Sequence, residues 1–255
     1  MIWLILVLIL FGAALLLYMW KEAHGNKVKE ETISLNSYPG KGPFTFFFIS
    51  DIHRRKIHPS VIQAIQGRAE FVVIGGDLAE KGVSFEQIAS NLQLLREVAP
   101  VFFVWGNNDY ELPKQSFEQL LKAHDVTVLC NESFCFQTAD GTDIYLLGVD
   151  DLSKGYSDKK NAFKRVPNDV FKIFLSHNPL FSKRMIEKDQ VGLFLSGHTH
   201  GGQIRLFGMG LYKKGGWEWR GKMAMLVSNG YGTSGFPLRL SAKAETHLIT
   251  IISDE

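Results

Sequence analysis

The side chains best suited to chemistry in this 255-residue chain gather in five short segments. These are Asp51-Ile52-His53, Gly75-Gly76-Asp77, Gly106-Asn107-Asn108-Asp109, His177, and Gly197-His198-Thr199-His200-Gly201-Gly202. Carboxylate, imidazole and amide groups are the donors that hard and borderline cations take. Singly, each segment has a plainer reading: a Gly-Asp is more often a turn, and a lone His177 more often a structural histidine. Together they point to metal binding. In an extended segment with its period of two, Asp51 and His53 project to the same side and reach one ion, as do His198 and His200. Four of the chain's eight histidines lie in these segments. With Asp51, Asp77 and Asn107 they could fill two neighbouring ion sites.

The elements that must position these groups are short apolar runs at 44–50, 71–75, 101–105, 171–176 and 191–196, each followed at once by one of the five segments. They are rich in β-branched and aromatic residues and alternate with amphipathic stretches, so they read as buried strands of one central sheet in an α/β layer structure. Ligands of such sheets collect at the carboxyl ends of the strands. Ser84 with Gln87 and Ser116 with Gln119 have capping-box spacing, opening helices that run to about Val98 and His124. Residues 134–137 and 143–147 flank Ala139-Asp140-Gly141 as a hairpin, since Asp-Gly supplies a positive-φ turn. The glycine-rich last fifty residues end in a strand pattern at 247–252.

Residues 2–20 are nineteen uncharged residues, and at about 1.5 Å per residue they nearly span a bilayer core of about 30 Å. Tyr18 and Trp20 fall at the interfacial belt, before Lys21. A cleaved signal peptide would show a basic start, a shorter apolar core and a small-x-small site. The reading is therefore a transmembrane anchor at 1–20, a polar linker at 21–43 ending in Pro39-Gly40-Lys41-Gly42-Pro43, and one α/β domain at 44–255. Lys21, Lys27 and Lys29 beyond the helix favour a single-pass protein of the cell membrane with that domain on the cytoplasmic side. With 45% hydrophobic and 21% charged residues and a net charge of +2, the chain can bury a sizeable core, and its dispersed lysines and arginines argue against a dedicated nucleic-acid binder. Cys130 and Cys135 form no Cys-x-x-Cys pair; they read either as two buried thiols or as a disulfide outside the cell. Oligomeric state leaves no mark on the sequence.

The five segments, in this order, resemble the calcineurin-like metallophosphoesterase family, whose pattern is Asp-x-His, Gly-Asp, Gly-Asn-His, a lone His and Gly-His-x-His. The resemblance runs from about Phe46 to Leu240. It implies a layered β-sandwich flanked by helices and two divalent metal ions (Mn2+, Fe2+ or Zn2+). Asp51, His53, Asp77 and His200 would hold one, and Asp77, Asn107, His177 and His198 the other, with Asp77 bridging. The extension Gly201-Gly202-Gln203, with Ser228 to Ser234 and Pro237-Leu238-Arg239, is similar to a bacterial membrane-associated subgroup. Some of its members cleave the pyrophosphate of nucleotide-linked glycolipids.

One position departs from the pattern. The family has a catalytic histidine where this chain has Asn108, and an amide cannot protonate a leaving group. A general acid is worth about 10²–10⁴ in rate, and its loss hurts least when the leaving group is a phosphate or an activated aryl oxide. The expected activity is a phosphodiesterase or pyrophosphatase on membrane-associated or nucleotide-linked substrates. The alternatives are a soluble-nucleotide or nucleic-acid phosphodiesterase and a non-catalytic scaffold. Arg54 and Arg55 are either contacts for a second phosphate or a solvated loop; Trp217 and Trp219 line a groove, meet the membrane interface or pack in the core. Asp109 orients Asn108 or a water, or is an ordinary loop carboxylate.

Overall fold

A computed structural model describes residues 1–253. The chain opens with helix α1 (Ile2–Ala23), long and apolar enough to cross a membrane. Twelve strands follow among the described residues: β1 (Val28–Ser34), β2 (Phe44–Ile49), β3 (Val72–Ile74), β4 (Val101–Phe103), β5 (Val126–Val128), β6 (Glu132–Gln137), β7 (Asp143–Gly148), β8 (Phe171–Leu175), β9 (Leu193–Ser196), β10 (Gly216–Arg220), β11 (Met223–Val227) and β12 (Thr246–Ile252). Between them lie α2 (Pro59–Ile65), α3 (Phe85–Arg96), α4 (Lys114–Ala123) and α5 (Lys159–Phe163).

The five apolar runs are all strands, but they are divided between two sheets rather than gathered in one. The first sheet has the order β1-β12-β2-β3-β4-β5 and the second β10-β11-β9-β8-β7-β6. Most neighbours are parallel; β12 with β2, β10 with β11 and the β6–β7 hairpin are antiparallel. Alternation along the strands explains the stacking. Phe44, Phe46 and Phe48 of β2 join Ile173, Leu175, Leu193 and Leu195 of the other sheet in the sandwich interior. Phe47 and Ile49 face outward beneath α2, α3 and α4, while Phe174 and Phe194 pack on the far side with Ala162 of α5. Both faces of each sheet are covered, so its central strands read as continuous apolar runs. The product is a helix–sheet–sheet–helix sandwich.

Three local expectations change. Residues 28–34, assigned to a polar linker, are an edge strand paired in parallel with β12, from Val28 opposite Thr246 to Ser34 opposite Ile252. An edge strand keeps one face in water and so stays polar; Lys29–Glu245 (2.6 Å) and His247–Glu31 (2.8 Å) tie it down. Ser84 does cap α3, accepting from Gln87 N. Ser116, however, lies inside α4, which starts after Pro113, because proline pre-sets the first helical turn. Cys135 is exposed rather than buried, Cys130 is half-buried, and both are free thiols.

α1 is exposed along nearly its whole length, and only Met19, Glu22 and Ala23 in its last turns are buried. A helix leaves its final carbonyls without intrahelical partners, and here the domain supplies them. Arg239 N–H donates to Met19 O (3.0 Å), Ala244 N–H to Glu22 O (3.4 Å) and the Arg55 guanidinium to Ala23 O (3.3 Å).

Candidate metal centre

β2, β3, β4, β8 and β9 end side by side, and their following loops bring the five segments together. His53 Nε2 lies 3.1 Å from His200 Nε2, and His200 Nε2 is 3.3 Å from Asp51 Oδ1. Asp77 Oδ2 is 3.2 Å from His177 Nε2 and 3.7 Å from His53 Nε2, facing both. His198 Nδ1 stands 3.2 Å from His177 Nε2. Donor atoms of Asp51, His53 and His200 lie within 4.8 Å of one another, as do those of Asp51, Asp77 and His177. Asp51 thus reaches both groups, alongside the central Asp77. Asn107 and Asn108 line the same cleft of about 350 Å³ with His53, Asp77, His198 and His200. A groove of about 400 Å³ beside Cys130, Asn131 and Arg165 holds no histidine, so chemistry favours the smaller cleft.

The convergence does not come from strand alternation. β2 stops at Ile49 and β9 at Ser196, and Asp51, His53, Asp77, His198 and His200 all have φ between +49° and +72°. Left-handed backbone is uncommon for residues other than glycine and costs roughly 1–3 kcal/mol each; five such residues in one cleft mark strain concentrated where side chains must converge. The loops are cross-tied. Asp51 N–H donates to Gly76 O (3.0 Å), Ile52 N–H to Asp77 O (2.8 Å), and Tyr231 N–H to Ser50 O (2.9 Å). The motif glycines have a packing reason. A Cβ on Gly106 would sit 2.2 Å from Asp77 Oδ1, and one on Gly197 2.2 Å from Asp51 Oδ2. Only glycine lets the carboxylates in.

Electrostatics and unmet valence suit cations. Asp77 and His177 are buried together. Burial disfavours both charges, yet each partner's charge prevails, so the carboxyl lies well below its usual range and the imidazole is pushed up to about 10. A ligating imidazole must be neutral; a divalent cation between the two would replace that proton. His200 is held down to about 4 by burial first, with His53 and the Arg239 guanidinium adding to it, and so is already neutral. Asn107 Oδ1 is a buried acceptor with no hydrogen-bond partner, which a cation would satisfy. The residues fit the two-ion set the motifs imply.

Support around the cluster comes partly from residues the sequence did not single out. Glu80 Oε2 lies 2.9 Å from His53 Nδ1 and its other oxygen pairs with Arg54, the carboxylate–histidine arrangement that fixes a ligand ring. No motif spacing marks Glu80. Asp109 is fully buried and accepts N–H groups of Asp77 (2.9 Å), Ala79 (3.1 Å) and Gly106 (2.8 Å), locking together the loops that follow β3 and β4. Burial, then the Asp77 charge, raise it to about 7. Arg55 is not placed for phosphate. It donates to carbonyls of Ala23, His24, Gly25 and Tyr231 and stacks 3.7 Å over the Tyr231 ring. Arg239, wholly buried, donates to carbonyls of Asn229, Gly232 and Ala242 and reaches His200 Nδ1 at 3.2 Å. The glycine-rich tail is thereby part of the site's wall. Asn108 N–H donates to Asp77 Oδ1 (2.8 Å), and its amide lies 3.4 Å from His53 Nδ1. Trp217 packs against the sandwich interior and Trp219 is exposed.

Comparison with known proteins gives a match to the model of the calcineurin-like phosphoesterase family over residues 44–202. YpbG of Bacillus subtilis (strain 168), an uncharacterized protein, is 41% identical over 251 residues, spanning 98% of this chain and 96% of its own. A Bos taurus transmembrane protein with metallophosphoesterase domain is 30% identical over 238 residues, 83% of this chain and 54% of its own. The phosphodiesterase YaeI of Escherichia coli (strain K12) is 29% identical over 175 residues, 64% of this chain and 63% of its own.

Proposed function

Because the chain belongs to the calcineurin-like phosphoesterase family, a family of phosphoester hydrolases, we propose that it is a membrane-anchored phosphodiesterase or pyrophosphatase. Two divalent cations would be held by Asp51, His53, Asp77 and His200 on one side and by Asp77, Asn107, His177 and His198 on the other. When bound, such a pair polarises a phosphoryl group and supplies a nucleophile from water near neutral pH. The mixed nitrogen and oxygen donors suit Mn2+, Fe2+ or Zn2+. The E. coli relative's description as a phosphodiesterase and the bovine relative's as a transmembrane protein support the reading, as does the apolar α1. We place the domain on the cytoplasmic side, from the lysines that follow α1.

Asn108 carries the substrate preference. It lines the cleft with its backbone fixed on Asp77 and its amide against His53, and it offers no titratable proton. Substrates whose leaving oxygen needs none are therefore favoured: pyrophosphates and diesters with a stable leaving group. The test is turnover by the Mn2+-loaded full chain of a bis-aryl diester, a nucleotide-sugar pyrophosphate and an alkyl phosphomonoester. The first two should be hydrolysed faster. Asn108→His should raise the alkyl monoester rate most, by up to about 10²–10⁴-fold. Parent protein that prefers the alkyl monoester sinks the reading.

A further inference from the structure

We propose that the loop from Ile204 to Tyr212, with Phe236, is a second membrane contact that seats in the headgroup–acyl boundary beside the foot of α1. The metal cleft then opens at the bilayer surface. Beyond Met1 and α1, the most exposed large apolar side chains of the described residues are Phe207 (97%), Leu211 (92%), Phe236 (80%) and Met209 (71%). All four lie here. Soluble surfaces rarely gather such residues without a partner.

The loop is built to hold them outward. Arg205 donates to the carbonyls of Gly201 (3.0 Å), Gly208 (2.5 Å) and Tyr212 (2.5 Å), and Met209 N–H closes a turn on Leu206 O (2.9 Å) with Phe207 at its tip. Backbone polar groups met from within are what an element entering an apolar boundary requires. Position names the occupant. Arg205 N–H donates to Leu240 O (3.0 Å) and Gln203 Nε2 to Phe236 O (3.1 Å), while neighbouring Arg239 N–H bonds Met19 O in α1. The loop is thus tied, through the adjacent Arg239 and Leu240, to the end of the apolar helix. Exposed Lys213, Lys214, Arg220 and Lys222 follow it, suited to anionic headgroups at the same level. Leu211 and Tyr212 also wall the cleft that holds His53 and His198, so a bilayer at the loop lies at the cleft's rim.

The inference rests on the reading of α1 as the anchor, and its test uses no turnover. The full chain with Cys130→Ser and Cys135→Ser is reconstituted in nanodiscs of phosphatidylcholine and phosphatidylglycerol. An environment-sensitive fluorophore is attached at Phe207→Cys, at Leu211→Cys as a second reporter, or at Glu118→Cys on exposed α4, with circular dichroism checking each fold. Lipids carrying a nitroxide near the headgroup should quench both loop labels several-fold more than the α4 label, with blue-shifted emission. Equal quenching at all three sites in chains that co-elute with discs overturns the loop contact alone. Chains that fail to co-elute overturn the anchor and the contact together. A blue shift without lipid quenching shows that a second copy covers the loop and also overturns it.

Discussion

Alanine at Gly197 would place a methyl group 2.2 Å from Asp51 Oδ2 and 2.5 Å from Ser50 Oγ. Carbon contacts settle near 3.5 Å, so the carboxylate must retreat by roughly 1 Å. It cannot retreat alone. Asp51 is fully buried and accepts His198 N–H on both oxygens, at 3.0 and 3.2 Å, so the shift pulls a second expected ligand with it. Disturbed support around a ligand typically lowers metal affinity by about 10–100-fold, or about 1.4–2.7 kcal/mol. Calorimetric titration of Mn2+ into the full chain in detergent reads that loss, with circular dichroism following the fold. Gly42→Ala is the control, since no heavy atom lies within 4 Å of its added Cβ; it should bind like the parent. Should Gly197→Ala bind Mn2+ as tightly as the parent, Asp51 does not hold the ion and the packing argument is wrong.

Two further outcomes follow, one from a neighbour of the cluster and one from the thiols away from it. Glu80→Gln keeps an acceptor for His53 Nδ1 but removes the charge that orients the ring. Mn2+ affinity should fall about tenfold with the melting temperature little changed, and unaltered affinity in the same titration would deny Glu80 that role. Burial and the Asp150 carboxylate, 3.3 Å from the Cys130 thiol, push that thiol up to about 12. Against the ordinary thiol value of about 9.0, this leaves roughly a thousandfold less thiolate. Under mildly alkaline alkylation, mass spectrometry should find exposed Cys135 labelled first and Cys130 far later; equal rates refute the account.

The sequence revealed the strands with two buried faces, since 44–50 or 171–176 can hardly be anything else, and it revealed the donor types that follow them. It did not reveal how those donors converge. Asp-x-His suggested an extended pair, whereas the backbone turns left-handed at both residues, a choice imposed by loops that close only in the folded chain. β1 was illegible for a related reason. An edge strand with polar outer residues has linker composition, and its partner, β12, lies at the other end of the chain. Arg55 and Arg239 are buried charges whose partners are backbone carbonyls; composition cannot distinguish them from solvated or phosphate-binding arginines.

Those two arginines bear directly on the proposed anchor. A linker from 21 to 43 would let the cleft range over a bilayer, but the carbonyls of Ala23, His24 and Gly25 accept hydrogen bonds from the guanidinium of Arg55, two residues after His53. Arg239 bonds Met19 through its backbone while its guanidinium reaches His200. A cation at a helix C-terminus also meets the negative end of the helix dipole. The last turn of α1 and the loops that carry the proposed ligands are therefore one hydrogen-bonded body: a helix seated in a membrane as proposed would set the cleft's tilt and height as well as tether it. A short rigid mount suits substrates presented at the membrane better than substrates that diffuse freely in solution.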